Sequence, residues 1–144
     1  MRVGNLQLGD WVTMSRHEKV VELLDAPNRC NITTVFAGGF HRRKEDEIEP
    51  VPLTKEIMDA NMGDWQHDGL RYTWANTFTK SNRLNTVTIE FIMDQAILCV
   101  YERKCTISHS QEPRILGMKI SYVHELQHAL RLCGLDELAN NFKV

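Results

Sequence analysis

The run Ile120-Ser121-Tyr122-Val123-His124-Glu125-Leu126-Gln127-His128-Ala129-Leu130-Arg131-Leu132-Cys133-Gly134 constrains this chain more than any other stretch. At about 100° per residue, Tyr122, Leu126, Ala129, Leu130 and Cys133 fall on one side of a helix, with Val123 at the edge. Such a broad apolar stripe has to be covered by another element. Ser121 reads as the N-cap, because its hydroxyl can accept from a first-turn N–H. Gly134 reads as a left-handed stop, and Arg131 places a cation in the last turn. His124, His128 and Arg131 point away from the stripe, and the two histidines, four residues apart, share a face.

The partner for that stripe is expected to be a sheet. Thr86-Val87-Thr88-Ile89-Glu90-Phe91-Ile92-Met93 alternates cleanly, with Val87, Ile89, Phe91 and Met93 on one face. Asp94-Gln95 turns the chain into Ala96–Glu102, which is apolar on both faces and reads as a central or doubly covered strand. Ile115–Ile120 leads into the helix. Earlier in the chain, Leu6–Val12 and Ile32–Phe36 read as strands, the latter stopped by Gly38-Gly39, and Val20–Leu24 as a strand or a short helical turn; these pieces suggest a small, barrel-like antiparallel sheet. Pro50 and Pro52 keep their stretch extended. Thr54 then caps a short helix from Lys55 to about Asn61. A second short helix is expected around Asp136–Phe142.

These elements define an α+β fold: an antiparallel, partly barrel-like sheet, one short middle helix and a C-terminal amphipathic helix packed on the sheet. The 144 residues suit one domain, with a β-rich part at about 1–53 and the later sheet and helix at about 54–144.

The helix also holds His124-Glu125-Leu126-Gln127-His128, which fits the H-E-x-x-H pattern of zinc peptidases. Two imidazoles one turn apart can hold one zinc ion, and the adjacent glutamate can act as base on a bound water. A third ligand is needed. The position six residues after His128 is Gly134, not a histidine, and only sixteen residues follow His128. Upstream, Cys105 and His109 are the candidates, since peptide deformylases place a Cys ligand before a late H-E-x-x-H helix. The Glu-Gly-Cys-Leu-Ser block of that family is not matched, nor is a Gly-rich block with its partner Gln. The competing and preferred reading is two solvent-facing histidines on an amphipathic helix, with no catalytic residue and no cofactor. The alternative keeps Glu125 as base and zinc on His124 and His128 with Cys105 or His109.

Two other features bear on function. Trp65, Tyr72, Trp74 and Phe78 are spaced through the turn-rich stretch from Asp64 to Asn85. Trp65, Tyr72 and Trp74 are the candidate binding surface, although aromatics spaced this way more often fill the core of irregular hairpins. His41-Arg42-Arg43-Lys44 is the one basic cluster, followed at once by Glu45-Asp46-Glu47. It reads as a solvated hairpin tip whose charges cancel.

A net charge of −2 argues against a dedicated nucleic-acid binder. Cysteines 30, 99, 105 and 133 form no C-x-x-C, and the N-terminus lacks a signal-peptide core, so reduced thiols in the cytoplasm are expected. No apolar run approaches the roughly 20 residues of a membrane span.

Three stretches carry a resemblance: Leu6-Gln7-Leu8-Gly9-Asp10-Trp11-Val12, Ile48-Glu49-Pro50-Val51-Pro52-Leu53-Thr54-Lys55-Glu56-Ile57 and Ile120-Ser121-Tyr122-Val123-His124-Glu125-Leu126-Gln127. In this order they resemble a family of small uncharacterised proteins of Bacteroidales bacteria, their prophages and their phages. Its pattern is L-x-x-G-N/D-x-V, then P-I-P-L-T-x-E-I-L, then V-H-x-L-Q. This chain departs from it at Met62-Gly63-Asp64-Trp65, where a Gly-Phe pair is usual. The family often has Gln in place of Glu125 and Asn in place of His128, changes that a zinc site would not survive. The missing third ligand, the absence of other catalytic motifs and this resemblance together point to a phage or mobile-element accessory protein in the host cytosol, acting by binding a protein or small ligand rather than as an enzyme. A small zinc-dependent hydrolase is the alternative.

Overall fold

A computed structural model describes residues 3–24, 31–61, 63, 65–75, 83–93, 95–104 and 114–144. In chain order the strands are β1 (Trp11–Thr13), β2 (His17–Leu24), β3 (Asn31–Phe36), β4 (Gly39–Arg43) and β5 (Glu49–Pro50). Helix α1 (Lys55–Asp59) follows, then β6 (Gln66–Asp68), β7 (Arg71–Ala75), β8 (Arg83–Ile92), β9 (Gln95–Lys104) and β10 (Arg114–Ile120). Helices α2 (Val123–Leu132) and α3 (Asp136–Asn140) close the chain. The fold is α+β.

The chain forms two compact units. One joins Met1–Pro52 to Tyr122–Val144, and the other is Leu53–Ser121. The C-terminal helices therefore belong with the N-terminal sheet, not with the sheet that precedes them in sequence. Each unit carries an open five-stranded antiparallel sheet, ordered β4-β3-β2-β1-β5 in the first and β10-β9-β8-β7-β6 in the second. The expected barrel character is absent, because both sheets end in edge strands among the described residues.

In the first unit, Leu6, Val12, Val20, Ile32 and Ile48 form one buried cluster, with Leu23 packed against it. The sheet's inner face also buries Glu18, which the alternation of β2 places directly across from Val12. Two arginines answer that charge. Arg43 makes a bidentate contact to Glu18 at 2.7 and 3.0 Å, and Arg16 lies 3.3 Å away. The basic cluster is thus not a hairpin tip. The turn comes earlier, at Ala37-Gly38 with φ of 50° and 79°, and Phe36 pairs with Gly39 across it. The chain returns at once as β4, and alternation turns Arg43 inward to Glu18.

In the second unit, Val87, Ile89 and Phe91 of β8 face Val100, Leu98 and Ala96 of β9 in register, and all six are buried. The β8–β9 hairpin turns one residue sooner than expected. Ile92 pairs with Gln95, which puts Met93 in the loop, 92% exposed and with φ of 49°. Helix α1 starts as expected, with the Thr54 hydroxyl accepting from Ile57 N–H at 3.3 Å. Among its described residues the turn-rich stretch carries β6, β7 and the start of β8, and Tyr72 of β7 is fully buried.

Helix α2 buries Val123, Leu126, Ala129 and Leu130, as the stripe required, and packs against α3 and β1. Val123, Leu126 and Leu130 each contribute about 1.5–3 kcal/mol when fully buried. Its N-cap is Tyr122, one residue later than expected, and Glu125 accepts from the Tyr122 N–H at 3.1 Å. Gly134 ends it with φ of 75°.

Candidate functional site

The polar face of α2 meets the segment that leads into β1. Leu6 is buried beneath that segment, and the chain bends at Gly9 with φ of 85°. A Cβ at Gly9 would lie 3.1 Å from an Arg131 nitrogen and 3.2 Å from the Asn140 side-chain oxygen. Only glycine fits both the backbone and the space there. The bend carries Asp10 into full burial against the helix.

Asp10 gathers three donors. Its Oδ2 accepts from the Gln7 backbone N–H at 2.7 Å and lies 2.7 Å from His128 Nε2. Its Oδ1 accepts from Arg131 at 2.7 Å. Gln127, also fully buried, fixes the same junction through its amide. The oxygen accepts from Trp11 N–H at 3.1 Å, while the nitrogen donates to Gly9 and Ala139 carbonyls at 2.9 and 3.0 Å. One side chain thereby ties β1, α2 and α3 together. Trp11 adds an indole N–H bond to the Phe142 carbonyl, and Lys19 donates to the Asn140 carbonyl.

His124 sits one turn before His128 and is only 8% exposed. Its ring stacks on Tyr122 and meets His128 edge to face, with centroids 5.6 Å apart. Its Nδ1 is buried and has no hydrogen-bond partner among the described residues. Burial pushes its pKa below the ordinary value, Asp10 opposes this, and His128 adds a further lowering. A recess of about 350 Å³ opens beside the two rings, bordered by Asn5, Gln7 and Glu125.

His124 is therefore buried, and His128, half-buried, is turned to Asp10. Periodicity put them opposite the apolar stripe, but Asp10, 118 residues before His128, comes to that face. Glu125 caps the start of its own helix. Among the described residues, no group of three or more His, Cys, Asp or Glu could hold a metal ion. Cys105 and His109, the proposed third ligands, lie outside the described residues.

Two of the three residues expected to form an aromatic surface are not exposed. Trp65 and Tyr72 are buried and Trp74 is half-buried. Tyr72 stacks on His67 at 4.6 Å, meets Phe91 edge to face and donates its hydroxyl to Asp59 at 2.5 Å. Burial, with Asp59 beside it, pushes the phenol up. Such a ring fills a core and is not free to stack on a ligand.

Sequence reasoning missed Asp10 and Gln127. A signal existed for the first: an acid directly after Gly9 in an otherwise apolar strand approach. The three stretches behind the family resemblance also meet here. Gly9 and Trp11 of the first bond Gln127 at the end of the third, and the Val51 carbonyl of the second accepts from Val123 N–H at 2.9 Å. No protein-family model, curated protein or solved structure matches the chain. Among the described residues, no helix is long and apolar enough to cross a membrane.

Proposed function

We propose that this is a non-enzymatic accessory protein of a phage or mobile element that acts by binding a protein or small ligand. The observation that carries this reading is the bond between His128 and the buried Asp10. With Glu125 capping the helix and Gln127 bonding β1 and α3, the motif is used to hold the fold together. Zinc content of the untagged protein, beside a His124→Ala, His128→Ala double variant, tests it. The binding reading expects no zinc after incubation and a loss of stability in the variant.

The alternative is a small zinc hydrolase with His124 and His128 as ligands and Glu125 as base. One observation favours it: the recess beside those three side chains. It expects near-stoichiometric zinc that disappears in the double variant.

A further inference from the structure

Strand β4 is the outermost strand of its sheet and, among the described residues, pairs only with β3. The two-residue turn at Ala37-Gly38 determines which of its peptide groups are free. A hairpin with such a turn closes on a hydrogen-bonded pair, here Phe36 with Gly39. Bonded and non-bonded pairs then alternate along the ladder. Val35–Phe40 and Thr33–Arg42 are therefore non-bonded pairs, and Thr34–His41 is a bonded one. The N–H and C=O groups of Phe40 and Arg42 consequently point away from β3, to the open edge.

The side chains at these two positions fall on the same face of the strand. Phe40 is 74% exposed, and Arg42 is exposed beside it. Their neighbours are committed elsewhere. Arg43 and Arg16 are taken by Glu18, Arg16 also lies 4.0 Å over the Phe36 ring, and the Glu22 carboxylate accepts from the Thr33 hydroxyl. Among the described residues, Arg42 has no acidic partner.

We propose that the β4 edge binds an extended segment of a partner protein as a sixth strand, with an apolar side chain opposite Phe40 and an acidic one two residues away opposite Arg42. The exposed peptide groups supply the affinity and the alternating side chains the selectivity. A second copy of this chain fits less well, because antiparallel self-pairing about His41 sets Arg42 opposite Phe40 and offers an acidic side chain to neither arginine. The proposal rests on the binding reading above, but zinc content decides that reading without reference to this edge.

The test uses the full chain and two labelled peptides, acetyl-Ser-Thr-Val-Thr-Glu-Thr-Ser-amide and the same peptide with Lys for Glu. Binding is read by fluorescence anisotropy, and amide exchange is followed by NMR. The acidic peptide is expected to slow exchange at Phe40 and Arg42 and to leave His41, already bonded to β3, unchanged. Arg42→Glu should reverse the preference between the peptides by about tenfold or more. Phe40→Pro removes an edge donor without touching the ladder and should abolish binding. Equal binding of both peptides, no protection at about 1 mM acidic peptide, or a doubled mass in solution that protects the same amides would each overturn the proposal.

Discussion

His128 Nε2 lies 2.7 Å from Oδ2 of Asp10, a carboxylate with no exposed surface, while Arg131 holds the other oxygen at the same distance. A carboxylate buried this deeply is stable only because its donors surround it. Replacing it by Ala leaves the Arg131 guanidinium facing a void. Asp10→Ala should cost about 3–5 kcal/mol, and His128→Ala about 1–3 kcal/mol. Urea unfolding measures both. Equal, sub-kilocalorie effects would show that the junction does not hold the fold.

Gln127 invites a sharper comparison. Its amide nitrogen donates to two carbonyls, Gly9 and Ala139. Gln127→Glu is nearly isosteric but turns a carboxylate oxygen toward both. It should destabilise by about 3 kcal/mol or more at pH 7 and recover part of this on acidification, when the carboxyl can donate again. Gln127→Met, which leaves the same groups unpaired, should show no such recovery.

Two acid-sensitive contributions should separate by pH. Burial sets the folded-state pKa of His124 below its ordinary 6.5, so the unfolded chain takes the proton first. That contribution is complete above pH 6.5 and is lost as pH falls toward the folded value. Glu18 is held at about 2, against an ordinary 4.5, chiefly by its hydrogen bond to Arg43. Its contribution, about 3 kcal/mol as an upper figure, is complete above pH 4.5 and lost as pH falls toward 2. Urea midpoints against pH should therefore fall in two steps. His124→Gln should remove the upper one and leave the lower intact.

Tyr72→Phe removes the hydroxyl bond to Asp59 and leaves the ring stack in place. The expected cost is about 1–2 kcal/mol by thermal unfolding. Because its phenol is pushed up, Tyr72 should stay protonated through the range in which a free phenol ionises in an ultraviolet pH titration.

Ala37 carries a φ of 50° as the first residue of the β3–β4 turn. Ala37→Asn restores the Asn-Gly pair that such a turn prefers and should stabilise by about 0.5–1 kcal/mol. A loss of stability would mean that the turn has another backbone form.

Much of this fold is readable from periodicity. The alternation of Val87, Ile89 and Phe91 marks β8, and the stripe of α2 marks the helix, because both patterns come from local geometry. Thr54 and Gly134 mark helix ends for equally local reasons. The site is harder to read. Asp10, Gln127 and His128 look like ordinary surface polar residues within any window of ten, since the bonds that join the N-terminal bend to the helix, Trp11 to Gln127 and Asp10 to His128, span 116 and 118 residues.

The sequence alone determined the α+β class, most of the strands, the capped middle helix and the demand that α2 bury one face. Tertiary structure decided which sheet receives that helix and what becomes of its polar face. Burying an apolar stripe is non-directional, so any sheet could satisfy it. Burying a carboxylate and an amide requires particular donors at hydrogen-bond distance, and only the folded chain places the bend at Gly9 against Gln127, His128 and Arg131.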